Sequence, residues 1–400
     1  MKQINKIIKS GLCLGCGHCE GIVTSDKCKM QINANGFYVP EFSKRLSKQE
    51  IAKILAVCPA ITVNGYGEKK VWGETKIVSE SWATNVNLRN VSSSGGVVSA
   101  LATYLLDKKV VDGILHVGVK ENSYLFNELK ISKNANDILR NVGSRYAPAL
   151  IFDKIKLILD SSNEVFAFIG KPCDIAGMKN YLEVYPEYRK RVTFFIGIFC
   201  AGIPSMNGTK KMIKMAEIDE TPISLKYRGD GWPGFFEINY KNSPTFKVSY
   251  NDSWRAVLGK HVGLRCRICP DGIGLLADIV AGDAWSTRDG FPDFEEREGK
   301  SFVLARTTRG EEIFKEALKD GVLVSKNLDV KNIKIMQRYQ YRRRVLVGYR
   351  LIAIQVLSGF ILRFRKIGIW RLMLKANPKS GILNMIGTGK RFIIRKSSIS

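Results

Sequence analysis

Histidine is scarce in this chain, with three in 400 residues, so chemistry built on histidine ligands or a histidine base is not expected to be central. No GxGxxG run occurs, which removes the simplest dinucleotide-binding signature. No apolar run follows the lysines of residues 1–10, so no secretory signal is expected there. Acidic residues are absent after Asp329: residues 331–400 hold seventeen Lys or Arg and no Asp or Glu. The first 330 residues carry 46 Lys or Arg against 37 Asp or Glu, so the net charge of +26 belongs mainly to the C-terminal stretch. No nucleic-acid-binding module accompanies that basic stretch, so nucleic acid is not expected as a partner.

Cysteine is what the chain does have. Nine thiols without a signal segment point to a reducing cytoplasm and to metal ligation rather than disulfides. Cys13-Leu-Gly-Cys16-Gly-His-Cys19 lets one tight turn aim three sulfurs at a common centre, and its glycines permit the backbone this requires. A fourth thiolate is available in Cys58-Pro59, a Cys-Pro pair of the kind that closes ferredoxin sites. Cys13, Cys16, Cys19 and Cys58 are therefore expected to hold one 4Fe–4S cluster. Cys28, off the rhythm of the triplet, competes with Cys58 for the fourth place. A zinc knuckle is the plainer alternative, but zinc sites usually pair two CxxC units.

A second set follows downstream. Residues 165–170 and 193–199 read as buried strands, the first running into Lys171-Pro-Cys173-Asp174 and the second into Cys200. Both thiols then lie at C-terminal strand ends, where open α/β sheets place ligands. Cys266-Arg-Ile-Cys269-Pro completes a set of four, with a CxxC redox dithiol as the alternative.

Length and a 45% apolar content suit two or three domains with a sizeable core. Residues 1–70 form a small cysteine-bearing module in which 46–57 is a helix capped by Ser47 and delivering Cys58. Residues 71–160 look α/β: a Ser/Gly turn at 92–96 opens an apolar helix, which presents backbone N–H groups to an anion, or else is an ordinary cap. Gly143-Ser-Arg-Tyr146-Ala-Pro148 is a loop that could stack on a ring or simply turn the chain. Residues 161–328 carry the second thiol set and two loops rich in Gly, Trp and charge, 227–234 and 282–285. Residues 329–400 read as a separable basic amphipathic tail: an apolar run over 345–362, interrupted by Arg350 and Gln355, is marginal for spanning a bilayer and fits an anionic membrane surface. Its removal at residue 330 is expected to leave the cysteine sites intact.

Seven ordered motifs carry a resemblance across residues 10–325: CLGCGHC, SSSGGVVSAL, GSRYAP, GKPCDIAGM, FCAGIPS, YRGDGWPG and CRICPDGIGLLADIVAGDAW. In these the chain resembles the beta subunit family of coenzyme F-420 hydrogenases and dehydrogenases, which includes 7-hydroxymethyl chlorophyll a reductase and bacterial relatives encoded beside polysaccharide genes. The resemblance implies a mixed α/β (α+β) protein: a ferredoxin-like iron–sulfur module, then a two-part α/β body binding flavin and a second cluster, then the basic helical tail. It implies two 4Fe–4S clusters and FAD, with Cys173, Cys200, Cys266 and Cys269 on the second cluster and the flavin near Ser93, Ser94, Gly95, Gly96, Ser144 and Arg145. The cysteine module is reduced relative to many members, and the tail is unlike the better-known subunits, so a deazaflavin substrate is not assumed.

The leading expectation is a cytoplasmic FAD- and iron–sulfur-dependent oxidoreductase, docked on the inner face of the membrane through the tail. Electrons would pass from a reduced carrier, ferredoxin-like or deazaflavin, through the clusters to the flavin and a small substrate, with Lys171, Arg145 and Asp283 orienting or protonating it. A sugar, nucleotide-sugar or lipid-linked glycan is the substrate class to test first, on family context. The alternatives are an electron-transfer subunit donating to a partner enzyme, and a metal-bound scaffold of a glycan-synthesis complex. A homo-oligomer is left open.

Overall fold

A computed structural model describes residues 1–360 and 362–397. Ile361 in the apolar run and the last three residues of the basic stretch lie outside the described residues. The body is built on one nine-stranded mixed sheet. Its strands are β1 (Ile77–Ala83), β2 (Gly113–Val119), β3 (Asn127–Ser132), β4 (Ala149–Leu150), β5 (Phe166–Gly170), β6 (Val192–Ile198), β7 (Ile279–Asp283), β8 (Ser301–Ala305) and β9 (Leu323–Asn327). They run across the sheet in the order β9-β1-β8-β7-β6-β5-β2-β3-β4. The inner strands β7, β6, β5 and β2 are parallel, and antiparallel strands flank them through β8, β1 and β9 on one side and β3 on the other.

Successive side chains of a strand point to opposite faces, and both faces here are apolar. Phe166 and Phe168 of β5 enter one core while Ala167 enters the other; Phe195 of β6 joins the first while Phe194 and Ile196 join the second. That is why these strands read as continuous hydrophobic runs. A core of four parallel strands needs crossovers, and helices supply them. They include α2 (Val97–Asp107) on one face and α3 (Pro172–Val184) on the other, after α1 (Lys48–Val57) of the N-terminal module.

The N-terminal module packs on the α3 face of the sheet, with Leu12, Val57, Ala60 and Ile61 in that core. Helix α1 starts as its sequence predicts: Ser47 Oγ accepts from Glu50 N and Glu50 returns a bond to Ser47 N, a capping box. A three-stranded sheet, Ser224–Lys226, Phe235–Asn239 and Phe246–Ser249, forms a separate small core with Tyr227, Val257 and Leu258.

The basic stretch differs from the separable tail that its composition suggests. Helix α4 (Arg338–Ser358) buries Val345, Leu346, Val347, Leu351 and Ile354 in the main core. Residues Arg363–Arg365 then pair in parallel with Thr62–Asn64 of the N-terminal module, and α5 (Pro378–Ser397) closes over Tyr349 of α4. The apolar run that looked marginal for a membrane is used as core. Two arginines of the same helix, Arg343 and Arg344, are almost completely buried, and Arg350 is half-buried. Removing residues 331–400 would strip one wall from the core against which Cys13, Cys16 and Cys58 pack, which counts against the expectation that cutting at residue 330 leaves the cysteine sites intact.

Candidate functional site

Eight of the nine cysteines fall into two groups. In the first, the turn from Cys13 to Cys19 depends on two glycines in the left-handed region: Gly15 at φ 66° lies so close to Tyr38 O, and Gly17 at φ 95° so close to Asp153 N, that a Cβ would come within 2.7 Å of either atom. Ile151 N and Phe152 N donate to Cys16 O (3.1 and 2.9 Å), pinning the turn to the end of β4. Helix α1 ends at Cys58. Burial, with Cys58 as a charged neighbour, pushes the Cys13 thiol up to about 12 and raises Cys16 and Cys19 as well. Cys28 is fully buried in the strand Cys28–Ile32; burial, then Glu20 and Cys13, pushes it up to about 12.

In the second group Cys173 sits in the first turn of α3, Cys200 just beyond β6, and Cys266 and Cys269 on and after the short helix Leu264–Arg267. Burial raises Cys173, Cys200 and Cys266, and the four thiols add to it by mutual charge: Cys200 and Cys269 on Cys173, and Cys269 on Cys266. Among the described residues no three His, Cys, Asp or Glu side chains close on one point as the donors of a single ion do.

His18, inside the first cysteine run, was not marked out by the sequence. Its ring stacks flat on Phe152, 3.8 Å between centroids and 2° between planes, and its Nε2–H donates to Gly177 O at 3.2 Å. Gly177 lies in α3, the helix that carries Cys173, so His18 ties the two groups together. Burial pulls its pKa down to about 3, which keeps the ring neutral. Arg265 does the same from the other side: it precedes Cys266, and its Nε and Nη2 donate to Ala60 O (2.7 Å) and Pro59 O (2.9 Å), just after Cys58.

A cavity of about 340 Å³ opens at the C-terminal ends of β5, β6 and β7. Its lining comes from the 92–98 segment except Gly95, the 143–147 segment, Lys171, Asp174 and Cys200, and Arg228, Tyr250, Trp254 and Trp285. Tyr250 and Trp254 lie at and in an irregular helical segment without a motif, so nothing in the sequence marks them. A smaller cavity of about 40 Å³, lined by Cys13, Cys266, Arg265 and Lys171, lies between the thiol groups. Lys171 is the one predicted residue on the wall of both.

The predicted flavin residues divide in role. Ser93 Oγ accepts from Ser144 N at 2.6 Å, joining the two loops at the cavity mouth. Ser94 Oγ bonds Lys300 O (2.9 Å) and Ser301 Oγ, and Gly95 N donates to Ser301 Oγ, which fixes this turn to β8. Gly95 is off the cavity wall; a Cβ there would meet Ser301 N and Ser81 O at 2.8 Å. Gly96, at φ 75°, caps α2 without any side-chain bond to its first-turn amides, and it lines the cavity.

The three residues expected to handle protons are each engaged. Arg145 donates to Asn127 Oδ1 (2.8 Å), Leu225 O (2.7 Å) and Tyr124 O (3.2 Å) and lies over Tyr227, so its fork clamps the 143–147 loop to the small sheet. Asp283, at the end of β7, accepts both Arg228 Nη atoms at 3.0 Å and Trp232 Nε1 at 2.8 Å. Trp232 stacks on Trp285 at 4.7 Å. Lys171 Nζ bonds both oxygens of buried Asp174, at 2.6 and 2.7 Å. Burial works against its charge, but Asp174 and Cys173 outweigh it and hold the ammonium above its usual pKa.

Two family models match: the coenzyme F420 hydrogenase/dehydrogenase beta subunit N-terminal model over residues 78–156 and its C-terminal counterpart over 163–331. The chain is 23% identical over 361 residues to a coenzyme F420-dependent sulfite reductase of Methanocaldococcus jannaschii, covering 85% of this chain and 51% of that protein. It is 28% identical over 261 residues to the F420-dependent formate dehydrogenase subunit beta of the same organism, covering 64% of each. It is 24% identical over 266 residues to the coenzyme F420 hydrogenase subunit beta of Methanococcus voltae, 64% of this chain and 86% of that one. The chain thus spans about half to two-thirds of the length of the first two. In fold it matches a chain of the F420-reducing NiFe hydrogenase complex from Methanosarcina barkeri with a TM-score of 0.55 and 19% identity, over 74% of this chain and 98% of that one.

Proposed function

Because this chain belongs to the coenzyme F420 hydrogenase/dehydrogenase beta subunit family, we propose that it is an iron–sulfur electron-transfer subunit of an oxidoreductase, acting with a partner enzyme. The observation that carries this reading is the gathering of eight cysteines into two groups of four, with the 340 Å³ cavity touching the second at Cys200. Cys13, Cys16, Cys19 and Cys58 would hold one 4Fe–4S cluster and Cys173, Cys200, Cys266 and Cys269 the other. The donor chemistry suits this: buried thiols that raise one another's pKa become thiolates against a cationic metal centre.

FAD is proposed for the cavity. Clusters supply single electrons, and a flavin joins two of them for hydride chemistry. Tyr250 and Trp254 offer aromatic surface to a ring, and the uncapped first turn of α2 offers amides and the positive helix end to a phosphate. Arg145 and Asp283 set the loops that shape the cavity, while the Lys171 ammonium, paired with Asp174, lines both the cavity and the space between the thiol groups. The relatives' names specify coenzyme F420, so a deazaflavin and a ferredoxin-like protein are the carriers to test. A sugar or lipid-linked glycan is the substrate class to test, on family context.

For location we propose the cytoplasmic face of an anionic membrane. Exposed Trp370, Leu374 and Leu383 lie among Arg371, Lys375 and Lys379, an apolar and cationic surface with no acidic residue after Asp329. Among the described residues no helix is long and apolar enough to cross a membrane. Anaerobic purification tests the central reading: about eight iron and eight labile sulfides per chain with flavin absorption are expected. Zinc without iron would overturn it.

A further inference from the structure

A buried cation is costly unless a negative charge faces it. Arg343 of helix α4 is 1% exposed, and among the described residues its charge-bearing neighbours are Tyr339, Cys269 and Cys200 rather than an Asp or Glu. Its guanidinium instead lies over the Tyr339 ring, donates to Tyr339 Oη at 3.1 Å, and bonds the backbone beside the second thiol group. Nη1 donates to Cys200 O at 2.8 Å and Nη2 to Ala201 O at 2.7 Å, while Gln340, one turn before it, donates to Cys200 O at 2.9 Å. From the other side Cys200 N donates to Gly272 O, three residues after Cys269. Gly272 is close enough that a Cβ there would stand 2.7 Å from Arg343 Nη1, so the loop carrying Cys269 is shaped to admit the cation. Arg265, 2% exposed, repeats the arrangement: its guanidinium bonds the carbonyls after Cys58, and its Nη1 has no hydrogen-bond partner.

A cluster held by four thiolates carries net negative charge, and adding an electron makes it more negative. A fixed cation beside it favours the reduced state. We propose that Arg343 is the resident counter-charge of the second thiol group, a positioning residue that raises the reduction potential of the cluster there and makes helix α4 part of that site. This rests on Cys173, Cys200, Cys266 and Cys269 being the ligands. The basic C-terminal stretch thereby has a role in electron transfer that its composition does not suggest.

The test is a redox titration of the full chain, purified anaerobically and followed by electron paramagnetic resonance, for the wild type, Arg343→Gln and Arg343→Lys, with iron and sulfide counted in each. The other cluster is the internal reference. Arg343→Gln is expected to keep its iron and to disfavour reduction of one cluster at least tenfold, about 59 mV for a one-electron couple; Arg343→Lys, which keeps the charge, should shift it less. If Arg343→Gln sheds half of its iron while Arg343→Lys retains it, the charge is again what matters and the proposal stands. Equal iron loss in both variants would overturn it. So would unchanged potentials, equal shifts of both clusters, or equal shifts in both variants. A wild-type chain without iron would instead sink the ligand assignment, which separates the two failures.

Discussion

At the level of single residues, the open question is the fourth thiol of the first group. Cys13, Cys16 and Cys19 each have Cys58 as a neighbour, whereas Cys28 neighbours Cys13 and Cys19 but not Cys16, and lies on a strand paired with Phe42. Cys58→Ser is therefore expected to lose about half of the iron and Cys28→Ser to lose none, as counted after anaerobic purification. The reverse result would exchange their roles. The cysteine spacing was readable because a tight turn is a local property. His18 was not readable: a histidine between two ligand cysteines looks like a metal ligand or a surface residue. Its stacking on Phe152 and bond to Gly177 join positions more than 130 residues apart. The place of Arg343 is hidden for a related reason. In sequence Arg342-Arg343-Arg344 is a basic patch, and whether such a patch is solvated or buried depends on what packs over it.

At the level of elements, strands and helices came close to their expected places: β5 at Phe166–Gly170, β6 at Val192–Ile198 and α1 after its Ser47 cap. Apolar runs and caps act over a few residues, so they show in the sequence. The loop 227–234 was recognisable as costly to order, but its anchor was not. Arg228 is 2% exposed and bonded through both Nη atoms to Asp283 at the end of β7. Removing one partner of a buried pair leaves the other uncompensated, so Asp283→Asn is expected to destabilise the chain by about 3 kcal/mol. Thermal denaturation reads this, with iron content unchanged because no cysteine touches the pair. An unmoved melting curve would mean that the stacked Trp232 and Trp285 hold the loop by themselves.

At the level of the whole molecule, helix α4 belongs to the core, while Trp370, Leu374 and Leu383 remain outside it. The membrane question therefore rests on these residues and not on the apolar run of α4. The double substitution Leu374→Glu and Leu383→Glu should reduce co-sedimentation with vesicles containing anionic lipid several-fold and leave iron content unchanged; equal sedimentation would discard the membrane proposal. The sequence by itself determined which residues could be ligands, which segments would be strands and helices, and the family. These are set by spacing, local geometry and hydrophobic period. The tertiary structure decided which face of each element is covered. It placed Lys171 against both cavities, used Arg145 and Asp283 to fix loops, and turned the basic stretch inward so that Arg343 meets Cys200. Contacts of that kind depend on chain segments far apart in sequence, and no local pattern encodes which segments will meet.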